Sequence, residues 1–197
     1  PGLHWGLPWG LGRLDRVKIG REGDRMLHIA SFMAEIGADA HLNDFTFTAG
    51  SAVTRNQIAL QLNGSATHAA IRGASLLKDR QHVDNTLVVD HAVGHCESRE
   101  LFKSVLDGES RSVFQGKIVV QPHAQKTDAK PELEIFADDV VCGNGATAGA
   151  LDDDLLFYLK ARGIPQKEAE ALMVEAFIGE AVEAVENEVV REALMDM

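Results

Sequence analysis

Histidine, cysteine and acidic side chains crowd together in residues 90–97. His91, His95 and Cys96 supply imidazole and thiol groups, which zinc and other transition metals accept as ligands. On a strand the two histidines would share a face but stand about 13 Å apart, which is too far for one ion. Gly94 disfavours the helix that would bring them together. These residues are therefore weak candidates for the metal ligands of a metal-dependent enzyme, and structural histidines explain the same pattern.

A second candidate for chemistry is the turn formed by Cys142, Gly143, Asn144 and Gly145. Glycines on both sides of Asn144 indicate a tight turn in which the backbone adopts positive φ. An accessible thiolate beside such a turn can bind iron or accept sulfur. A buried, unreactive cysteine at the end of a strand fits equally well, so the spacing leaves the role of Cys142 open.

Short β-type runs separated by turn residues must position these groups. In residues 58–62 apolar and polar side chains alternate, which is typical of a strand with one buried face. Runs beginning at Phe45, Gln57 and Ala69 follow one another at a constant interval of about 12 residues. Such regular short strands indicate a sandwich, a barrel or a stacked β-solenoid, and periodicity does not choose between them.

Two local signals refine this picture. Asn63 and Gly64 form a dipeptide typical of a two-residue hairpin, which favours antiparallel strands. The segment from Ser98 to Gly108 predicts a short helix, because the serine suits an N-cap, the glycine suits the end, and apolar residues recur on one side.

The last part of the chain has a helical pattern. A first helix is expected to begin at Asp152 and stop at Gly163, and Pro165 suits the first position of a second helix. The second helix carries an apolar stripe that either closes the β body or contacts another subunit: Ala169, Leu172, Met173, Ala176, Phe177 and Ala181. We therefore predict a β core in residues 1–150 and a helical domain in residues 151–197.

Acidic residues outnumber basic ones by 30 to 19, which gives a net charge of −11. This surplus argues against nucleic acid as a partner. No apolar run approaches the ~18–20 residues that cross a bilayer, so no membrane partner is expected. Only two cysteines are present, which argues against a disulfide framework and predicts a cytoplasmic location. Residues 151–197 contain 12 acidic and 4 basic residues, and this acidic tail is where we expect a partner.

Several stretches together carry a specific resemblance. They are Asp90 to Ala92, Ser98 to Lys103, Phe114 to Ile118, Ala124 to Asp128, Lys130 to Ile135, Ala137 to Val140, Cys142-Gly143, Gly145 to Thr147, Phe157 to Leu159 and Arg162 to Pro165. In these stretches the chain resembles the SufB/SufD family of iron–sulfur cluster assembly proteins, and it is closer to the SufD branch than to the SufB branch.

The resemblance implies a mainly β protein, a right-handed parallel β-helix followed by a small C-terminal α-helical domain. It also implies a non-enzymatic scaffold that pairs with a SufB-like subunit and docks a SufC-like ABC ATPase through its C-terminal helices. No cofactor is expected to bind stably, although an iron–sulfur cluster is expected to form transiently at the interface with the SufB-like partner. Its candidate ATPase-docking residues are Leu156, Tyr158, Leu159, Arg162, Gly163, Ile164, Pro165, Leu172 and Phe177. Open end coils predict a homodimer when the chain is alone.

The chain departs from the family pattern in three places. Asn144 stands where the family carries the histidine of a Cys-x-His-Gly motif, and an amide neither shuttles protons near neutral pH nor ligates iron well. Cys142 is then the only soft ligand of this turn. A further family stretch would fall near Ala129 and Lys130, and either the chain lacks it or this sequence omits it. The family's N-terminal helical region is absent, so we expect the sequence to be a fragment.

Overall fold

The computed structural model describes residues 4–6, 12–122, 124, 128–136, 146–149, 153–183, 185 and 188–195. The strands are β1 (His4–Gly6), β2 (Arg13–Glu22), β3 (Leu27–Ile36), β4 (His41–Gly50), β5 (Val53–Leu62), β6 (His68–Leu77), β7 (His82–His91), β8 (Glu97–Leu106), β9 (Arg111–Val120), β10 (Asp128–Phe136) and β11 (Ala146–Gly149). The helices are α1 (Asp153–Ala161), α2 (Gln166–Glu183) and α3 (Glu188–Met195).

From β2 to β9, successive strands alternate between two parallel sheets. Sheet A has the order β1-β3-β5-β7-β9, and sheet B has the order β11-β10-β8-β6-β4-β2. His41 pairs with His68, and His68 pairs with Glu97, so one coil takes 27 residues and the next takes 29. This is a β-solenoid of stacked coils, which confirms the parallel β-helix and decides against the sandwich and the barrel.

The hairpin signal at Asn63 and Gly64 is wrong. These residues form a corner between β5 in sheet A and β6 in sheet B, and both strands pair in parallel with the coils beside them. Asn63 N–H donates to the Ile36 carbonyl at 2.8 Å. A Cβ on Gly64 would lie 1.9 Å from the backbone nitrogen of Ala38 in the preceding corner. The glycine is therefore needed for the close stacking of corners rather than for a hairpin.

The short helix predicted from Ser98 to Gly108 is also wrong, because this segment forms β8. Its backbone pairs in parallel with β6 on one side and β10 on the other. The side chain of Phe102 packs in the solenoid interior, whereas Lys103 is buried on the opposite face of the same strand. Several inward-facing positions of β8 carry polar residues, namely Ser98, Glu100 and Ser104, so the strand lacks the polar–apolar alternation that identifies strands from sequence.

Apolar side chains fill the space between the two sheets. The buried members of this core are Phe32, Ala34, Ile36, Ala40, Leu42, Ile58, Leu60, Leu62, Ala69, Ile71, Leu87, Val89, Cys96 and Phe102. They recur at every second residue of each strand, since alternate side chains point to the same face of a sheet. In-register pairing then places residues of one interior column above each other, as with Ile58 and Leu87.

Helices α1 and α2 begin and end close to where the sequence predicts, whereas α3 has no counterpart among the two predicted helices. Gly163 follows α1 with φ +86°, and Ile164 N–H donates to the Leu159 carbonyl at 3.3 Å, a glycine-dependent helix end. The predicted apolar stripe of α2 is only partly buried, because Leu172 and Ala176 are exposed. Within the described part of the chain, no helix combines the length and the apolar character that crossing a membrane requires.

Polar side chains interrupt the solenoid interior at one end of the strands. Lys18 donates to the side-chain oxygen of Asn56, whose amide nitrogen donates to Asn85 at 2.9 Å. Burial lowers the pKa of Lys18 to about 8. Arg16 forms an ion pair with buried Asp44. Each of these groups has at least one polar partner, although Asp44 Oδ2 has none among the residues described.

Glu100 and His91 are buried, and each has at least one polar side-chain atom without a hydrogen-bond partner among the described residues. Glu100 is 1% exposed, and neither of its carboxylate oxygens has a hydrogen-bond partner among the residues described. Burial raises the pKa of Glu100 and lowers the pKa of His91, so both groups favour their neutral forms. His91 Nε2 lies 3.0 Å from the Ser98 hydroxyl oxygen.

We predict that Glu100 makes the fold less stable as the pH rises. The pKa of Glu100 is higher in the folded protein than in the unfolded chain. Its contribution to the free energy of unfolding is therefore greatest below the unfolded pKa, and it is lost as the pH rises through the folded pKa. Glu100→Gln should raise the free energy of unfolding by at least about 1 kcal/mol at pH 8, with the gain shrinking towards pH 4.5. Urea unfolding at several pH values measures this difference.

Glu109→Gln is the control, because Glu109 is exposed in the turn before β9. It should leave the pH profile of the wild-type chain unchanged. A Glu100→Gln gain that is equal at pH 5 and pH 8 would contradict the ionisation argument.

Candidate docking surface on the C-terminal helices

Part of the outer face of sheet B is covered by α2 and α3. A second core lies between them, and its buried members are Phe45, Phe47, Ala74, Ile178, Ala181, Val182, Val185 and Leu194. These strand residues face away from the solenoid interior, because they alternate with residues such as Leu42 that face inwards. The helices therefore belong to the packed structure of the solenoid, and their outer surface is held in a fixed place.

Lys103 ties α2 to the sheet. Its side chain is 2% exposed, and it forms an ion pair with Glu180, whose side chain is 67% exposed. The Lys103 ammonium also lies 4.7 Å from the centre of the Phe177 ring, a cation–π contact. The aliphatic part of the Lys103 side chain is thus buried between sheet B and α2, and its ammonium group contacts a carboxylate near the solvent. The sequence marks Lys103 only as part of a family stretch, because a lysine on a strand normally indicates solvent exposure.

The surface of α1 and the start of α2 remains apolar and uncovered in the described structure. Phe157 is 73% exposed, Tyr158 48%, Leu155 44% and Leu172 42%. The Arg162 guanidinium lies 4.2 Å from the centre of the Tyr158 ring. Large apolar side chains that stay exposed in this number are candidates for contact with another protein.

An acidic groove continues this surface along α2. It has a volume of about 450 Å³ and is lined by Leu172, Glu175, Ala176, Gly179, Glu180 and Glu183. Its three carboxylates favour a partner with basic side chains. Leu172, one of the exposed apolar residues, also lines the acidic groove.

The structure separates the predicted docking residues into three groups. Tyr158, Arg162, Gly163, Pro165 and Leu172 are exposed. Leu156, Leu159 and Ile164 are half-buried. Phe177 is half-buried against the sheet-facing core. Sequence reasoning missed Phe157, which is the most exposed large apolar residue among the helix side chains that the structure describes, although it is next to the predicted Leu156 and Tyr158.

The histidines and cysteine of the first candidate cluster do not converge. His91 is inside the solenoid, whereas His95 is exposed in a corner with φ +63°. Cys96 is 2% exposed and its thiol donates to the Gly64 carbonyl at 3.2 Å. Burial raises the pKa of Cys96, which keeps the thiol protonated. Across the described ranges no group of three or more His, Cys, Asp or Glu side chains is arranged to hold a metal ion.

The turn that contains Cys142 and Asn144 lies outside the described residues. The predicted role of these two residues in cluster assembly or at an interface therefore stays a prediction. The backbone is described on either side, where β10 and β11 pair in parallel through Leu133–Phe136 and Ala146–Gly149.

A stacked parallel β-solenoid whose outer face is covered by C-terminal helices defines the class of this protein. A family model described as "SUF system FeS cluster assembly, SufBD core domain" matches residues 12–130 and 128–177. The chain belongs to this SufBD family. The two matched pieces overlap at residues 128–130.

Relatives in several organisms agree with the family match. The chain is 33% identical to the iron–sulfur cluster assembly protein SufD of Escherichia coli, over 92% of this chain and 47% of that protein. It is 32% identical to a SufBD family protein of Mycobacterium leprae, over 93% and 53% respectively. A SufBD family protein of Synechocystis is 28% identical over 88% and 42%. The chain thus spans about half the length of these relatives.

We predict that the Lys103–Glu180 ion pair stabilises the attachment of α2. Glu180→Gln removes the carboxylate that faces a buried ammonium, and it should lower the free energy of unfolding by about 1 kcal/mol. Lys103→Met should be closer to the wild type, because it removes the charge and keeps an apolar stem of similar volume. Urea unfolding measures both differences.

Glu183→Gln provides the matched control, since Glu183 is exposed on the same helix. It should leave the urea midpoint unchanged. If Lys103→Met cost more than Glu180→Gln, the buried charge itself would be the stabilising element, and our account of the pair would be wrong.

Proposed function

We propose that this chain is a scaffold subunit of the SUF iron–sulfur cluster assembly machinery and is not itself an enzyme. The observation that carries the proposal is the SufBD core match, which extends from the solenoid through α1 and into α2. Relatives that match over about nine-tenths of the chain are named as iron–sulfur cluster assembly proteins. The proposed role concerns the part of the longer relatives that this chain matches, which is about half of their length.

In this proposal the C-terminal helices dock a SufC-like ABC ATPase. The exposed aromatic residues Phe157 and Tyr158 supply an apolar centre, and the acidic groove along α2 supplies a charged margin. Buried aromatic anchors surrounded by polar residues are the arrangement that carries most binding energy in protein interfaces.

The proposed SufB-like partner binds at the end of the solenoid. Within the described strands, β9 pairs with β7 on one side and has no strand on its other side. A β edge of this kind offers free backbone donors and acceptors to a strand of another chain. The same edge supports a homodimer when the SufB-like subunit is absent. The iron–sulfur cluster is cargo in this proposal and forms transiently at the shared interface.

The central test mixes the purified chain with a SufC-like ATPase, with and without a SufB-like subunit, on size-exclusion chromatography. We expect co-elution with the ATPase at micromolar concentrations. Phe157→Asp should weaken the ATPase affinity at least about tenfold, because a charge replaces an exposed aromatic anchor. Isothermal titration calorimetry measures the affinity.

Ile29→Asp is a closely matched control. Ile29 is 74% exposed on sheet A, and Phe157 is 73% exposed on α1, so both substitutions place a charge on an exposed apolar site. The control should bind the ATPase with wild-type affinity. Wild-type affinity in Phe157→Asp would reject the docking surface, and no co-elution of the unmodified chain would reject the scaffold role.

A further inference from the structure

Two histidines stack on the outer face of sheet B, beyond the part that the helices cover. His41 of β4 and His68 of β6 pair in register, and Glu97 of β8 follows in the same column. The imidazole rings have their centres 4.8 Å apart and their planes within 5° of parallel. This separation equals the ordinary spacing of neighbouring strands, so the solenoid itself holds the two rings together.

Glu97 fixes the hydrogen-bonding state of His68. Glu97 Oε2 lies 3.2 Å from His68 Nδ1, and Glu97 Oε1 accepts from Arg99 Nε at 2.6 Å. An ionised carboxylate paired with arginine only accepts hydrogen bonds, so His68 Nδ1 must carry the proton. In the neutral ring with this tautomer, the lone pair is on His68 Nε2. A carboxylate that holds the second ring nitrogen is the usual support for a metal-binding histidine.

The surroundings of the column suit a cation. Both histidines are exposed, and the His68 side chain keeps 49% of its accessible surface. Arg13, which pairs in register with His41, is matched by Asp15 at 3.0 Å. Arg13 and Arg99 thus each contact a carboxylate, which reduces the repulsion of the patch towards a dication.

We propose that His41 and His68 bind one divalent transition-metal ion, with Glu97 orienting His68 and water completing the coordination. Imidazole nitrogens suit Zn²⁺, Ni²⁺, Cu²⁺ and Fe²⁺ better than Mg²⁺ or Ca²⁺. Two bonds of about 2.1 Å at a tetrahedral angle place the nitrogens roughly 3.4 Å apart. The stacked rings reach this distance by tilting towards each other, which exposed side chains permit. The site supplies two protein ligands and leaves the remaining positions open.

Zn²⁺ is the probe that tests this site. Isothermal titration of the untagged chain, carried out in a Cys142→Ser background to remove a competing thiol, should give one Zn²⁺ per chain. His41→Gln and His68→Gln should each abolish the saturable binding. Glu97→Gln should keep the stoichiometry and weaken the affinity about tenfold, as loss of a carboxylate that orients a ligand does.

His82→Gln is the matched control, because His82 begins β7 of sheet A as His41 and His68 begin strands of sheet B, and its register partners are Val53 and Arg111. It should bind Zn²⁺ like the background protein. Circular dichroism checks that each variant keeps the fold. Absence of saturable binding in the background protein, or wild-type binding in both His41→Gln and His68→Gln, would overturn the proposal.

Discussion

In-register stacking of the coils is the constraint on which the other features depend. Each strand hydrogen-bonds to a neighbour of the same coil position, so a side chain in one coil lies beside its counterpart in the next. Apolar counterparts build the core, and corners such as Gly64 are packed too tightly for a Cβ. The same repetition brings His41 and His68 into contact, although they are far apart in sequence. The position that a residue shares with its counterparts in neighbouring coils therefore determines which residues it contacts.

Strand β8 shows how the two parts of the molecule depend on each other. Phe102 packs into the solenoid core, and the next residue, Lys103, is buried beneath α2. Gly73 of β6 makes room for the Phe102 ring, since a Cβ there would lie 2.5 Å from it. One strand thus links the interior packing, the attachment of the helix and the outer surface proposed for docking.

Much of the architecture follows from the sequence, and the exceptions have physical causes. Alternation in residues 58–62 identifies β5 because one of its faces is solvated, whereas Ser98 to Gly108 lacks this alternation because buried positions of β8 carry Ser98 and Glu100. Periodicity cannot distinguish parallel from antiparallel strands, since both repeat every two residues; the family resemblance made that choice. The pairing of His41 with His68 depends on register, which no local pattern reveals. Phe157 was missed because its exposure depends on how α1 packs.

The burial of Lys103 and the apolar seam around Ile178 and Val182 have a mechanical consequence. A flexibly attached helix could move relative to the sheet. The interface between α2 and sheet B is apolar and contains an ion pair, and such close packing resists sliding. A torque applied to α2 is therefore delivered to β6 and β8, and through their backbone hydrogen bonds to neighbouring coils. Helix α2 and the solenoid are therefore expected to move together as one rigid body when a force acts on the helix.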